Sequence, residues 1–240
     1  MTMLKNYSLY DWQIYCYDTV DSTNDLAASD KTLPTDDLKK IFIAKTQTNG
    51  RGRRGRSWIS PQGNLYMSQL INWHHPISEL VYISSLSIAQ SLSKFAPDID
   101  FKIKWPNDIL LNGAKLCGIL IEKNIQNNVI IGIGINLQSS PSTDEVIYPT
   151  TNLANYNCNI TVEDFLNCYL PIFTRNCSND FTTIKQNWLK FAYNLGQTIN
   201  IKLNTKNSIS GRFIGIDEQG NLLLEQKTQT VKITTGEIIY

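Results

Sequence analysis

The chain has 240 residues, with 22 Lys and Arg against 21 Asp and Glu for a net charge of +1. Hydrophobic residues make up 42% and charged ones 18%, an ordinary globular balance with room for one large domain or one plus a small appendage. This near-neutral balance excludes nucleic-acid binding through an overall basic surface, and no apolar run approaches the ~20 residues of a membrane span.

The N-terminus, with Lys5, Asn6, Tyr7 and Asp11, lacks the continuous apolar core of a signal peptide. Five cysteines without C-x-x-C spacing give neither a zinc signature nor a disulfide framework, so reduced thiols and a cytoplasmic location are expected. Residues 12–18 predict a first strand. In Asp21-Ser22-Thr23-Asn24, small polar residues precede Leu26-Ala27-Ala28, a helix N-terminus signal. Ser22 or Asn24 caps that helix, or the free donors and side chains bind a neutral polar group; the two readings are compatible. Residues 30–40 are polar and turn-like, and 41–46 predict a strand leading to Gln47.

Gly50-Arg51-Gly52-Arg53-Arg54-Gly55-Arg56-Ser57-Trp58 packs four arginines into seven positions. Glycine permits close approach of backbone to a ligand, and arginine presents a planar fork of donors to phosphate or carboxylate oxygens. A cationic loop in a neutral chain favours a local anion site. After the turn at 60–64, residues 65–72 predict a strand, and His74-His75-Pro76 reads as a surface turn. The apolar spacing over 77–95 predicts a helix with Ser78 as its cap. Residues 99–105 alternate as a strand, ending at Pro106. The run 109–111 leads to the hairpin turn Asn112-Gly113, and 116–123 predict the next strand. After a turn at Asn127-Asn128, Val129 to Leu137 reads as a buried central strand whose glycines imply close packing, or alternatively as an edge open to pairing. Residues 138–160 are loop. Helices are expected from Thr161 and over 181–193. From Ile199 short alternating strands suggest a small β-barrel, giving domains 1–195 and 196–240.

Four stretches carry chemistry: the arginine loop, Lys104-Trp105-Pro106-Asn107-Asp108, Gly113-Ala114-Lys115-Leu116-Cys117-Gly118, and Gly132-Ile133-Gly134-Ile135-Asn136. Alone, Lys115 is an ordinary turn lysine, Lys104 and Asp108 an ordinary surface pair, and the glycines lack a G-x-G-x-x-G or P-loop pattern. Together, in this order and spacing, with Ser22-Thr23-Asn24 and Gln47, they resemble the biotin–protein ligases. The resemblance implies an α+β fold: a mixed central sheet with flanking helices, as in class II synthetases, plus a C-terminal SH3-like β-barrel.

It also implies ATP-dependent joining of biotin to a lysine of a carboxyl carrier domain through biotinyl-5′-AMP. Crowding a carboxylate against a triphosphate makes electrostatic stabilisation the main demand. Ser22, Thr23, Asn24 and Gln47 would hold the biotin ureido ring, with Arg51, Gly52, Arg53 and Lys115 at its carboxylate. Arg53, Arg54, Arg56, Trp58, Lys104, Asn107 and Asn136 would surround ATP. Lys115, Arg53 and Asp108 would be catalytic, with Mg²⁺ brought by ATP and no direct protein metal cluster. The implied partner is the carrier domain of a biotin-dependent carboxylase, with no DNA or membrane partner, and the chain is a monomer or homodimer.

Three departures stand out. Ala114 and Cys117 replace residues common in the family, Gly236-Glu237-Ile238 is followed only by Ile239 and Tyr240 with no basic residue, and catalytic-type sequence begins by about residue 12, so the N-terminal DNA-binding domain of some repressor-type members, and a DNA-binding role, are not expected. Two other readings compete: a lipoate–protein ligase, which shares the fold, and RNA binding through the arginine-glycine loop.

Overall fold

A computed structural model describes residues 2–32, 34, 39–124, 128–142, 144–146 and 148–239. Period-two patterning sets its main sheet. In β3 (Lys39–Gln47), Ile41 and Ile43 face the large core, while Phe42 faces the other side. The sheet has eight strands in the order β1-β2-β3-β4-β8-β7-β6-β5. They are β1 (Met3–Leu9), β2 (Trp12–Val20), β3, β4 (Leu65–Ile71), β5 (Phe101–Lys104), β6 (Asp108–Leu111), β7 (Ala114–Lys123) and β8 (Val129–Ile135). Only β2 and β3 run parallel. Their crossover carries α1 (Thr23–Ser29), whose Ala27 packs on Phe42, Leu70 and Ile130.

The other face is covered by α2 (Glu79–Phe95), α3 (Val162–Cys177) and α4 (Phe181–Phe191). α3 opens with a full capping box between Thr161 and Asp164. The tail forms a five-stranded antiparallel sheet, ordered β12-β11-β10-β9-β13. Its strands are β9 (Thr198–Lys202), β10 (Ser208–Ile216), β11 (Leu222–Glu225), β12 (Thr230–Ile233) and β13 (Glu237–Ile238). One apolar cluster runs from the main sheet through α2 and α4 into Ile199, Ile201, Phe213 and Leu224. Among the described residues no helix is long and apolar enough to cross a membrane.

The α+β class and the order of elements match expectation, with local corrections. Trp12 begins the second strand, not the first. β1, polar and largely exposed at the sheet edge, lacks a clear alternation to announce it. Ser78 has helical backbone angles and makes no side-chain capping bond; the helix starts instead from the turn at Pro76. β8 ends at Ile135 and is flanked by β4 and β7, so it is interior and offers no edge. The α4 helix ends at Phe191, short of Tyr193. Parts of the 30–40 turn and Asn127 lie outside the described residues.

Candidate active site

The parallel pair β2–β3 delivers the start of α1 and Gln47 to the same end of the sheet. There the Gln47 carbonyl accepts the Thr23 backbone N–H at 2.9 Å and the Thr23 hydroxyl at 3.2 Å. The Gln47 amide nitrogen therefore faces Ser60 Oγ, 3.0 Å away. Ser68 Oγ lies 2.7 Å from Thr23 Oγ1 and 2.5 Å from Asn24 Oδ1. Asn24 Nδ2 donates to Glu122 Oε2 at 2.7 Å. Asn24 is thus held at both ends of its amide and lies so close to Gly132 that a Cβ there would collide with it. Ser22 stands at the N-cap position of α1, but its hydroxyl makes no capping bond.

The arginine loop closes over this floor. Gly52 N–H donates to Arg56 C=O at 2.6 Å and Trp58 N–H to Gly50 C=O at 2.8 Å, so the loop is a hairpin-like flap rooted at both ends. Its tip is a 3₁₀ turn in which Arg54 takes a left-handed φ of 58°. Arg51 Nη2 meets Glu122 at 2.8 Å and Asp25 at 2.9 Å. Arg53 Nη1 donates to Asn107 Oδ1 at 2.8 Å, and Arg56 Nη1 to Glu237 Oε1 at 2.8 Å. Burial lowers the pKa of Arg53 despite the nearby Asp108. For Glu237, burial is outweighed by the bond from Arg56, and its carboxyl is held below the ordinary range.

Lys115 is only 7% exposed and sits in strand β7, not in a turn. The turn itself belongs to Asn112 and Gly113, with φ of 49° and 79°, so Ala114 lies beyond the residues that need left-handed angles. Lys115 Nζ forms an ion pair with Asp108 at 2.8 Å and lies between the rings of Tyr148, at 5.0 Å, and Trp58, at 5.3 Å. Burial disfavours its charge, but Asp108 and Tyr148 prevail and raise its pKa. The Trp58 indole lies against Gly118 and Gly134, 2.9 and 2.5 Å from where their Cβ atoms would be. Its buried Nε1 has no acceptor among the described residues. With Trp58 in place the cleft holds a free volume of about 50 Å³, far below the ~300 to 1,000 Å³ of small-molecule sites.

Ser22, Thr23, Asn24, Gln47, Arg51, Gly52, Arg53, Arg56, Trp58, Asn107 and Lys115 all line this one cleft. Asp108 stands directly behind Lys115. Three further expected residues lie outside the cleft's lining. Arg54 is exposed at the tip and outside the lining, and Lys104 is buried, also outside it. Asn136 donates to Thr151 C=O at 3.0 Å and faces a side pocket shared with Trp58 and Tyr148. Asn24, within the lining, spends its carbonyl and one N–H on the protein itself. Cys117 is fully buried, and burial raises its thiol pKa well above the usual range. Sequence reading missed Tyr148, Glu122, Ser60 and Ser68. They belong to no recognisable motif and are brought in by strand pairing and by the loop after β8, whose Pro149 carbonyl accepts the Lys115 N–H. Among the described residues no group of three His, Cys, Asp or Glu could hold a metal.

Residues 16–136 match the biotin/lipoate A/B protein ligase family, and residues 195–240 match the biotin protein ligase C-terminal domain. The biotin--[acetyl-CoA-carboxylase] ligase of Paracoccus denitrificans is 31% identical over 236 residues, covering 92% of this chain and 97% of that protein. The chain belongs to the biotin/lipoate protein ligase family. The bifunctional ligase/repressor BirA of Bacillus subtilis is 33% identical over 214 residues, but the match covers 82% of this chain and only 65% of that relative's length. The structure of the biotin protein ligase from Aquifex aeolicus in complex with biotin and ATP superposes with a TM-score of 0.83 at 26% identity, covering 94% of this chain and 97% of that one.

Proposed function

We propose that this protein is an ATP-dependent biotin–protein ligase acting on a carrier domain of a biotin-dependent carboxylase. The observation that carries this reading is one cleft with two chemical halves. A floor of amide and hydroxyl groups (Ser22, Thr23, Gln47) suits a neutral cyclic urea. A rim of Arg51, Arg53, Arg56 and Lys115 suits the meeting of a carboxylate with a polyphosphate. The family's named ligases and the biotin- and ATP-bound relative support it. Residues 1–195 would bind the substrates, and 196–240 would contribute Glu237 to the rim.

In this reading the biotin carboxylate oxygen attacks the α-phosphorus of ATP, pyrophosphate leaves, and biotinyl-5′-AMP forms. Lys115, held by its ion pair with Asp108 beside the Tyr148 ring, would face the developing negative charge. Arg53, fixed by Asn107, holds the acyl phosphate. An amine of the carrier then attacks the acyl carbon, AMP leaves, and Asp108 takes up or steers the amine proton. Mg²⁺ would arrive with the triphosphate, because Asp108, the acid at the floor, already pairs with Lys115. Entry of either substrate requires Trp58 to swing off Gly118 and Gly134, and its buried N–H, without a partner among the described residues, favours that release.

The test is pyrophosphate release with biotin and with lipoate as acyl substrates, followed by transfer to a carrier domain. Release with lipoate and none with biotin would overturn the assignment. A cytoplasmic location follows from this reading.

A further inference from the structure

One acid tied to the flap is in the wrong place for electrostatics alone. Glu122, on β7, does not line the cleft, yet one of its oxygens ties together two residues that do. Oε2 accepts Asn24 Nδ2 at 2.7 Å and Arg51 Nη2 at 2.8 Å. A carboxylate behind a site for an anionic ligand repels that ligand, so its presence calls for a compensating role.

The geometry supplies one. Asn24 is buried against Gly132 and held by Ser68. Its amide therefore fixes where the Glu122 oxygen lies, and that oxygen fixes the arginine. Asp25 engages the same nitrogen of Arg51 from helix α1, at 2.9 Å. Both acids converge on Nη2. Among the described residues no hydrogen bond or ion pair takes Nε or Nη1, so their donors, out of the five N–H groups of the guanidinium, are left for a ligand. An arginine on a glycine-jointed flap would otherwise lose much rotamer freedom on binding.

Resting on the reading of the cleft as a biotin site, we infer that Glu122, with Asp25, is a positioning residue for Arg51. It holds the guanidinium over the floor so that its remaining donors meet the substrate carboxylate, and it couples the ureido end of the site to the carboxylate end through Asn24. Exposed ion pairs taken singly contribute little; here the effect is orientation of a third group.

The test is calorimetric titration of the whole protein with biotin and with biotinol, in which an alcohol replaces the carboxylate. Glu122→Gln keeps an oxygen for Asn24 and removes the charge. It should weaken biotin on the order of fivefold and leave biotinol unchanged. Asp25→Asn, on a different element, should act in the same direction. Neither should matter in an Arg51→Met background. Equal weakening of both ligands would mean a merely structural role and overturn the assignment. So would unchanged biotin binding, or an undiminished effect without Arg51. If the wild-type protein binds biotinol but not biotin, the positioning role fails. If it binds neither, the functional reading itself fails, and this assignment with it.

Discussion

In the proposed reaction Lys115 would place charge at the reacting atoms, and its ion pair with Asp108 also bears on fold stability. Replacing the lysine with alanine would remove the cation proposed to face the reacting oxygens and leave the half-buried Asp108 carboxyl without its Lys115 partner. Adenylation should fall about 10²- to 10³-fold, and thermal unfolding should show a loss of about 3 kcal/mol. The double change Lys115→Met with Asp108→Asn should recover most of that stability without recovering turnover. Lys104 offers a pH test. Burial, only partly offset by Asp108 and Glu237, lowers its pKa to about 8. Its positive charge is present below that pH and lost above it, so ATP affinity should fall as pH rises through 8, and Lys104→Met should flatten the profile. Stability moves the opposite way. The unfolded lysine holds its proton up to ~10.4, so between about 8 and that value the unfolded chain binds more protons and stability rises with pH. Which residues meet was legible from the motifs; which of their atoms were already taken was not. Nothing local to Asn24 says that its amide is claimed by Glu122 and Ser68, 98 and 44 residues away.

At the scale of elements, β8 carries the site through what it lacks. Gly132 makes room for Asn24 and Gly134 for Trp58. Gly132→Ala should cost about 1–3 kcal/mol by overpacking and weaken biotin binding, measured by titration, because the Asn24 amide cannot yield without breaking two bonds. Gly134→Ala should be milder for folding, since Trp58 sits on a flap that can move. If the first variant bound biotin normally, the buried role of Asn24 would be wrong. The interior strands were readable because period-two patterning over apolar runs is strong, as in Ile41, Phe42 and Ile43. β1 was not, because an exposed edge strand is under no demand to alternate. Ser78 failed as a cap because the preceding turn, in which Glu79 N–H donates to Pro76 C=O at 3.1 Å, already starts the helix.

Polar contacts tie the tail to the rest of the molecule. Tyr82 of α2 accepts the Trp105 indole N–H at 3.0 Å and donates to Gly220 C=O. Lys185 pairs with Glu218, and Arg56 with Glu237. With the apolar cluster continuous between the two sheets, the full chain should unfold in one calorimetric transition. Tyr82→Phe strands a buried donor and acceptor and should cost about 1–3 kcal/mol without splitting that transition. A separate early melting of residues 196–240 would show the core to be divided. The appended sheet was visible in the sequence as a change of composition, but its contacts into the flap were not, since Glu237 lies 181 residues from Arg56. The pairings around the cleft have one more consequence. Asp25, Glu122, Glu237 and Asp108 already neutralise Arg51, Arg56 and Lys115. An arriving polyphosphate therefore displaces carboxylates bound to the chain more than it releases free ions to solution. A plot of log affinity for ATP against log salt should be shallower than the number of cations in the cleft would suggest. The protein brings its own counterions, and salt reads only the difference.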